Sequence, residues 1–320
     1  MLSACRKDAV KKTADKSKTP VTFALGFTQS TGGFNGAANI TKGKFGPHTL
    51  AMDTSLTKYA SVIYIGVYAS DGTQLFLTKQ LATDTAFGKV NYNLSPGSYT
   101  VTFSAGQSGM VEGGTTLANT DFYYPVGPSY HPYIWKNSFF KKISLTVGNA
   151  SINQSVTLSR IDAQVIVNIE DAVPANVKFI FFSISDEQGG YTVQQLFDTN
   201  TGGPYPGTAT GYEFANTSLD TALIAGTKNI KLMIPLLASN RKFDINIVAY
   251  DRLPPAGFQG STFGENIVAS YSTSNVTIQN GHQTILSGKL FGGNGLSNTG
   301  GFQITVDPQW GTTTTTIPFQ

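Results

Sequence analysis

The sequence predicts an all-β protein with two tandem antiparallel β-sandwich domains after a disordered N-terminal tether. Alternating runs of Val, Ile, Thr, Tyr and Phe recur between Gly, Pro, Asn and Asp, while helical periodicity is nearly absent. A similar succession of strands and turns occurs twice, with a period of about 115–145 residues, which favours two sandwiches over a single large barrel. The length of 320 residues also fits two domains.

The tether is predicted from composition. Residues 6–20 are rich in Lys, Asp, Ser and Thr and lack an apolar period, so they cannot bury enough surface to order themselves. The predicted division is therefore a start and tether over 1–20, a first sandwich over 21–158 and a second over 159–320.

The first predicted domain begins with a β-hairpin. Strands at 62–68 and 74–77 flank Asp71-Gly72, and an Asp-Gly pair supplies the positive φ of a tight turn. A second turn at 93–97 contains Pro96-Gly97 and leads into an alternating strand at 98–103. The segments 139–147 and 152–158 are predicted to pair with each other around Gly148-Asn149.

The second predicted domain has the same character. Its strands are expected at 161–169, 177–185, 191–193, 230–234, 242–250, 283–290 and 302–306. Four gaps are longer than ordinary loops, which is typical of functional or disordered segments. They cover residues 29–57, 105–137, 197–222 and 251–265.

Charge is sparse and unevenly placed. Charged residues make up 13% of the chain and the net charge is +3, against about 25% charged residues in ordinary domains. The first 18 residues hold six basic and two acidic residues, so the other 302 hold 16 basic and 17 acidic residues and carry −1. A nucleic-acid-binding face needs Lys and Arg clustered on the fold, so nucleic acid is not an expected partner.

Cys5 is the only cysteine, which excludes an intrachain disulfide and a cysteine-based zinc cluster. Leu2-Ser3-Ala4-Cys5 is similar to a bacterial lipobox, in which the cysteine is acylated, for example with palmitate. A signal peptide also needs a basic region and 7–15 apolar residues before the cleavage site. Four residues cannot supply these, so the start was placed late, the segment was trimmed, or the match is chance. No window approaches the length of a transmembrane helix.

Catalytic and metal-binding motifs are missing from the sequence. His48, His131 and His282 lie more than 80 positions apart, so no two have metal-ligand spacing, and no cofactor is expected. No G-x-S-x-G motif, P-loop or calcium loop is present. Asp162, Glu170 and Asp171, or Asp244 and Asp251, could serve as paired acids of a glycosidase. Strand alternation and turn positions explain these acids more simply, so no enzyme is expected.

One long gap is rich in aromatic residues. The candidate ligand or interface residues in it are Tyr123, Tyr124, Tyr130, Tyr133 and Trp135. Exposed aromatic side chains stack on sugar rings and form hot spots at protein interfaces. The alternative is that these side chains cover the open end of the first sandwich.

Several segments together resemble the FimB/Mfa2-type fimbrial anchor subunits, which are fimbrillin superfamily lipoproteins of Bacteroidota. The segments are the lipobox-like start, 68–72, 94–99, 121–123 and 156–165, the last with a V-x-L-x-R pattern that ends at Arg160. The resemblance implies two transthyretin-like β-sandwiches, an outer-membrane lipid anchor and assembly with other fimbrial subunits by strand addition. Arg160 is expected to orient the junction between the domains by pairing with a carboxylate.

The C-terminal strand is the candidate partner strand. Phe302, Gln303, Ile304, Thr305 and Val306 alternate well, and Asp307-Pro308 ends the pairing because Pro has no N–H to donate. This strand could be donated to a partner subunit or kept as an ordinary last strand. Polymerising subunits are cut after a basic residue near the N-terminus, and Lys42, Lys44 and Lys58 lie in that region without a distinguishing motif.

The resulting hypothesis is a non-catalytic surface lipoprotein that anchors or accompanies a fimbria (pilus) in the outer membrane and supports cell adhesion. The alternative is a surface glycan-binding lipoprotein that uses the aromatic loops.

Overall fold

The computed structural model describes residues 18–27, 56–125, 136–186, 197–204, 213–216, 225–237, 242–253, 267–292 and 302–307. Its strands are β1 Thr19–Phe27, β2 Val62–Ala69, β3 Gln74–Leu81, β4 Lys89–Leu94, β5 Gly97–Gly106, β6 Val111–Gly113, β7 Asp121–Tyr123, β8 Ser138–Val147, β9 Ile152–Arg160, β10 Asp162–Ile169, β11 Phe179–Asp186, β12 Phe197–Asp198, β13 Gly203–Pro204, β14 Glu213–Asn216, β15 Ile230–Leu237, β16 Lys242–Tyr250, β17 Ile267–Thr277, β18 Gln283–Gly288 and β19 Gln303–Asp307. The described helices are α1 Leu56–Tyr59 and a short 3₁₀ helix, Leu117–Asn119. The predicted all-β class is confirmed.

The first group of strands forms one curved sheet. Its order is β3-β2-β5-β8-β9-β1-β4. The sheet folds back on itself, because side chains of β1, β4 and β9 share one core with side chains of β2, β5 and β8. That core includes Phe23, Ile65 and Phe103, and it is drawn entirely from residues before 159.

The second group forms two four-stranded sheets that pack on each other. One has the order β15-β10-β18-β19 and the other β14-β11-β16-β17. Their shared core includes Val165, Phe182, Ile245 and Leu286, and it is drawn from residues after 160. The predicted boundary between 158 and 159 stays a prediction, since a smaller sheet crosses it.

That smaller sheet, which we call the bridging sheet, has the order β13-β12-β7-β6. Phe122 of β7 pairs with Phe197 of β12, so a segment from the first group hydrogen-bonds to a segment from the second. Its apolar side packs on Val62 and Tyr64 of β2 and on Phe140 of β8.

The two groups repeat one strand arrangement. In the first, β1 lies between antiparallel β4 and parallel β9. In the second, β10 lies between antiparallel β15 and parallel β18. The predicted sandwiches were antiparallel throughout, so these two parallel pairs are a correction. Each parallel pair joins strands more than 100 residues apart, which hydrophobic alternation does not reveal.

The hairpin prediction for β2 and β3 is confirmed. Tyr68 pairs with Gln74, Gly72 adopts φ 84°, and the Asp71 carboxylate accepts the Thr73 N–H at 2.9 Å. This hydrogen bond depresses the pKa of Asp71. The short polar side chain and the following glycine therefore play the turn roles that the sequence indicates.

The prediction that residues 139–147 pair with 152–158 is wrong. β8 pairs along its length with β5, and residues 152–158 of β9 pair with β1 instead. The two strands meet only where Phe139 and Phe140 pair with Arg160 and Ser159. The corner at Gly148-Asn149 thus passes the chain between two layers, and does not close a hairpin.

Other differences are smaller. β1 begins at Thr19, two residues before the predicted start of the first domain. The structure adds β1, β4, β14 and β17 to the predicted strands, and the bridging sheet occupies parts of two predicted loops. The predicted return strand at 191–193 lies outside the described residues. Within the described ranges, neither helix has the length or the apolar character needed to cross a bilayer.

Candidate functional site

The candidate partner strand is an edge strand of the chain's own sheet. β19 pairs antiparallel with β18, with Ser287 opposite Gln303 and Leu286 opposite Ile304. Its other edge faces no strand among those the structure describes. Gln303 and Thr305 are exposed, and the Ile304 side chain is 45% exposed. The sequence-predicted strand therefore exists, and its described side chains lie largely outside the core.

One aromatic contact holds the start of this strand. The Phe302 ring lies 4.5 Å from the Tyr271 ring of β17, measured between centroids. Phe302 is partly buried against the second core. The contacts described for β19 are therefore its backbone hydrogen bonds to β18 and the ring contact between Phe302 and Tyr271.

A second edge strand, β3, was not predicted as a site. Leu75, Phe76, Leu77 and Leu81 are 44%, 40%, 37% and 46% exposed. An edge strand with unpaired backbone groups and apolar side chains is a template for another strand, and proteins usually blunt such edges with charge, Pro or short length. β3 has eight residues and one charged residue, Lys79. The sequence predicted residues 74–77 as the second strand of the hairpin, without indicating that this strand lies at an edge.

Tyr124 lies in the interior. It is 8% exposed, and its hydroxyl accepts the Gln107 N–H at 2.9 Å and lies 3.2 Å from the Ser138 hydroxyl. Burial raises the pKa of Tyr124 to about 12, and Lys136 Nζ lies 5.5 Å from the ring centroid. This position matches the alternative in which the loop aromatics cover the end of the first sandwich.

The remaining predicted residues are placed as follows. Tyr123 is half-buried on β7. Tyr130, Tyr133 and Trp135, like Cys5, Lys42 and Lys44, lie outside the described residues. Lys58 is exposed on α1, with Nζ 5.3 Å from the centroid of the Tyr59 ring.

Arg160 pairs with a carboxylate, as expected. Its guanidinium lies 3.1 Å from the Asp162 carboxylate, and their side chains are 10% and 1% exposed. The Asp162 carboxylate also accepts the Ser138 N–H at 2.8 Å, and Arg160 donates to the Asn137 side chain at 2.8 Å. Burial raises the pKa of Asp162 to about 6, although Arg160 and these hydrogen bonds act to lower it. The Arg160–Asp162 ion pair and its hydrogen bonds connect the start of β8 to the residues where β9 ends and β10 begins.

Among the other acids weighed as catalytic residues, Asp171 has structural partners. Asp171 accepts the backbone N–H groups of Leu290 and Phe291 at 3.0 and 2.6 Å. Within the described residues, no group of three or more His, Cys, Asp or Glu side chains could hold a metal ion.

Comparison with known proteins gives a fold and leaves the family open. No protein-family model and no curated protein sequence matches this chain. Solved structures share the fold, among them the following three. The fimbrial anchor protein Mfa2 from Porphyromonas gingivalis has 12% identity, TM-score 0.52, and coverage of 90% of this chain and 97% of its own.

The other two come from Bacteroides. A Bacteroides thetaiotaomicron protein provisionally described as polysaccharide-binding has 8% identity, TM-score 0.52, and coverage of 91% and 96% of the two chains. A Bacteroides ovatus protein provisionally described as an adhesin has 10% identity, TM-score 0.50, and coverage of 91% and 93%. At such identities the likeness establishes the architecture over nearly the whole chain, and the function has to be argued from the surfaces.

Proposed function

We propose that this chain is a non-catalytic, cell-surface fimbrial subunit, an anchor or accessory protein that joins partner subunits by β-strand addition and supports adhesion. A lipid on Cys5 holds it in the outer membrane, and residues 6–18 act as the tether between the lipid and β1. The proposal requires no cofactor, and its partners are other fimbrial subunits.

The observation that carries the proposal is the position of β19. The first group closes with seven strands, and its second-group counterparts are β10, β11 and β14–β18. β19 is an eighth strand, attached through its ladder to β18 and through Phe302, and it has no counterpart among the described strands of the first group. Main-chain hydrogen bonds supply affinity in strand addition, and alternate side chains supply register. A strand that is not needed to complete the sandwich is suited to exchange between subunits.

The exposed β3 edge supports the same function from the opposite group. Its unpaired edge and four exposed apolar side chains suit an incoming extended segment. The chain thus offers one strand that could leave and one edge that could receive. The fold shared with a fimbrial anchor protein adds weight to this assignment.

Strand donation is tested by locking β19 in place. Ser287→Cys with Gln303→Cys places two thiols on directly opposed residues of an antiparallel pair, where a disulfide can form. In a strain lacking the native protein, we expect the oxidised double variant to be exported but absent from purified filaments, and incorporation to return on reduction. The single Gln303→Cys variant is the matched control and should incorporate under both conditions. Equal incorporation of the locked protein would show that β19 is kept.

The anchor is tested separately. Cys5→Ala should move the protein from the membrane fraction to the medium, and filaments should detach with it. A Cys5→Ala variant that stays in the membrane fraction would disprove lipid anchoring. Deleting the whole protein should shorten filaments or release them from cells, and unchanged filaments would rule out the anchor role.

Glycan binding is a second candidate, favoured by the fold shared with a protein provisionally described as polysaccharide-binding. Tyr123 is the predicted aromatic with a partly accessible ring among the described residues, whereas Tyr124 is buried. Binding of the purified chain to an array of polysaccharides, lost in Tyr123→Ala, would favour this function. An array on which no polysaccharide binds would count against it.

A further inference from the structure

The bridging sheet contains a buried acid, and no cation of the described residues acts on its pKa. Glu112, in the middle of β6, is 8% exposed. Neither of its carboxyl oxygens forms a hydrogen bond of normal geometry within the described residues. Burial, with a smaller contribution from Asp121, raises the pKa of Glu112 to about 8. A buried carboxyl in such surroundings is kept neutral, because an unpaired charge there is expensive.

Polar and titratable side chains of the neighbouring strands surround Glu112. Ser104 of β5 acts to lower the pKa of Glu112, and Asp121 of β7 acts to raise it. Burial raises the pKa of Tyr68 on β2, and Glu112 adds to this rise. Asp198 of β12 raises the pKa of Asp121, after the larger effect of burial. From β8, Lys142 reaches the sheet but donates to the backbone carbonyl of Asn200.

The Ser104 hydroxyl beside Glu112 has room for a further hydrogen bond. The Ser104 and Thr102 hydroxyl oxygens are buried and, like the Glu112 carboxyl, lack partners of normal geometry. The neighbouring Tyr68 hydroxyl is already engaged, since it donates to Thr120 at 3.1 Å. A protonated Glu112 can donate to Ser104. An ionised Glu112 can accept from Ser104, which is how Ser104 acts to lower its pKa, but its charge would then be buried and would face Asp121.

Glu112 also lies where the two groups of strands are joined. It pairs with Phe122, and Phe122 pairs with Phe197 of the second group. The Phe122 and Phe197 rings lie 4.9 Å apart, and Phe197 lies 4.8 Å from Phe140 of β8. Thr199 donates its N–H and its hydroxyl to the Thr120 carbonyl at 3.1 and 2.9 Å. Separation of β6 and β7 from the outer face of β2 and β5 would therefore also disturb the contact with the second group.

We propose that Glu112 is a proton-operated latch: its neutral carboxyl holds the bridging sheet closed on β2 and β5, and opening of the sheet releases the proton. This regulation goes beyond the proposed fimbrial function and does not depend on it. In the closed state the carboxyl is protonated up to about pH 8, whereas a solvated glutamate ionises near its ordinary pKa of 4.5. Opening is therefore favoured about tenfold for each pH unit between these two values and levels off above the higher one. Acid tightens the latch and neutral to alkaline pH loosens it.

Hydrogen exchange of the full chain tests the latch. After correction for intrinsic exchange, protection of amides in 111–123 and 197–204 should fall about tenfold per pH unit between about pH 5 and pH 7.5. Amides of β5 and β8 that pair with each other serve as the internal reference. In Glu112→Gln, which keeps the shape and cannot ionise, bridging-sheet protection should be independent of pH. Asp121→Asn, the matched control, should retain most of the pH dependence.

Two results would overturn the proposal: a parallel loss of protection in the bridging sheet and the reference strands, or an unchanged pH dependence in Glu112→Gln. If Glu112→Gln does not fold, the wild-type chain labelled with ¹³C at its glutamate carboxyl groups decides the matter. One glutamate resonance should titrate near pH 8, and a set that titrates entirely in the ordinary range would refute the latch.

Discussion

The two groups have the same strand order, but one side of the sandwich is formed differently in each. In the first, β8 and β9 meet directly, and Phe139 and Phe140 pair with Arg160 and Ser159. In the second, the corresponding strands β17 and β18 do not pair, and β19 lies on the edge of β18. Phe302, just before β19, contacts Tyr271 of β17. The difference indicates that seven strands complete this sandwich and that the eighth is an addition.

The largest expected effect tests whether the two groups are separate units. Phe103 in the first core and Phe182 in the second are both fully buried, and the two cores share no residue. Phe103→Ala and Phe182→Ala should each cost about 3–5 kcal/mol of unfolding free energy. Hydrogen exchange should localise each loss to the group that carries the substitution. A loss spread evenly over both groups would mean that the bridging sheet makes them one cooperative unit.

The next effect concerns the contact between β8 and β9 in the first group, which the corresponding strands β17 and β18 of the second group lack. Arg160→Met leaves the Asp162 carboxyl buried without its cation, which should cost about 3 kcal/mol at neutral pH. Burial already places the pKa of Asp162 near 6, above its ordinary 3.8. Removing Arg160 should raise this pKa further, so the cost should be smaller at pH 5, where the carboxyl is protonated.

Denaturant unfolding at the two pH values measures this cost. Arg160→Met combined with Asp162→Asn is the control, and it should recover much of the lost stability because no buried charge remains. A loss of equal size at both pH values would show that the pair acts through packing, for example through the contact of the Arg160 guanidinium with the Phe139 ring, 4.7 Å from its centroid.

A smaller effect tests whether β19 is an addition. Leu286 of β18 is fully buried and Ile304, directly opposite on β19, is 45% exposed. Leu286→Ala should cost about 2–4 kcal/mol, and Ile304→Ala less than about 1 kcal/mol. Thermal unfolding of the two variants checks the contrast. A cost at Ile304 that matches the cost at Leu286 would make β19 part of the core, and the proposed strand donation would lose its basis.

Sequence patterns predicted what is local in this fold. Residues close in sequence predicted the Asp71-Gly72 hairpin and the strands found as β10 and β16. The pairing of Arg160 with a carboxylate was predicted in the segment that resembles a known family. The parallel pairing of β9 with β1 was missed because its partners lie about 130 residues apart and alternation carries no record of the partner.

The candidate site was predicted in part for the same reason. The C-terminal strand was recognised from its alternation and the following Pro308, which are local signals. The burial of Tyr124 depends on Met110 and Phe140, which pack in the same cluster from other parts of the chain. Glu112 occupies an ordinary polar position in a predicted loop, and only the packing of β6 on β2 and β5 makes it unusual.

The smallest effect on stability is expected at β3, the edge strand of the first group. The outer strand of the first group, β3, has eight residues and presents Leu77 and Leu81 on its exposed edge. Leu77→Thr replaces an apolar side chain with a polar, β-branched one that suits a strand, and it should change the unfolding free energy by less than about 0.5 kcal/mol. Its effect should fall instead on filament incorporation, which should drop several-fold if β3 receives a partner strand. The matched control is Lys79→Thr, which removes the one charge of β3 and should not reduce incorporation, because charge on an edge strand opposes pairing. Normal incorporation of Leu77→Thr would leave β19 as the single strand of this chain proposed to contact a partner, and the two edges would then differ in function as well as in sequence.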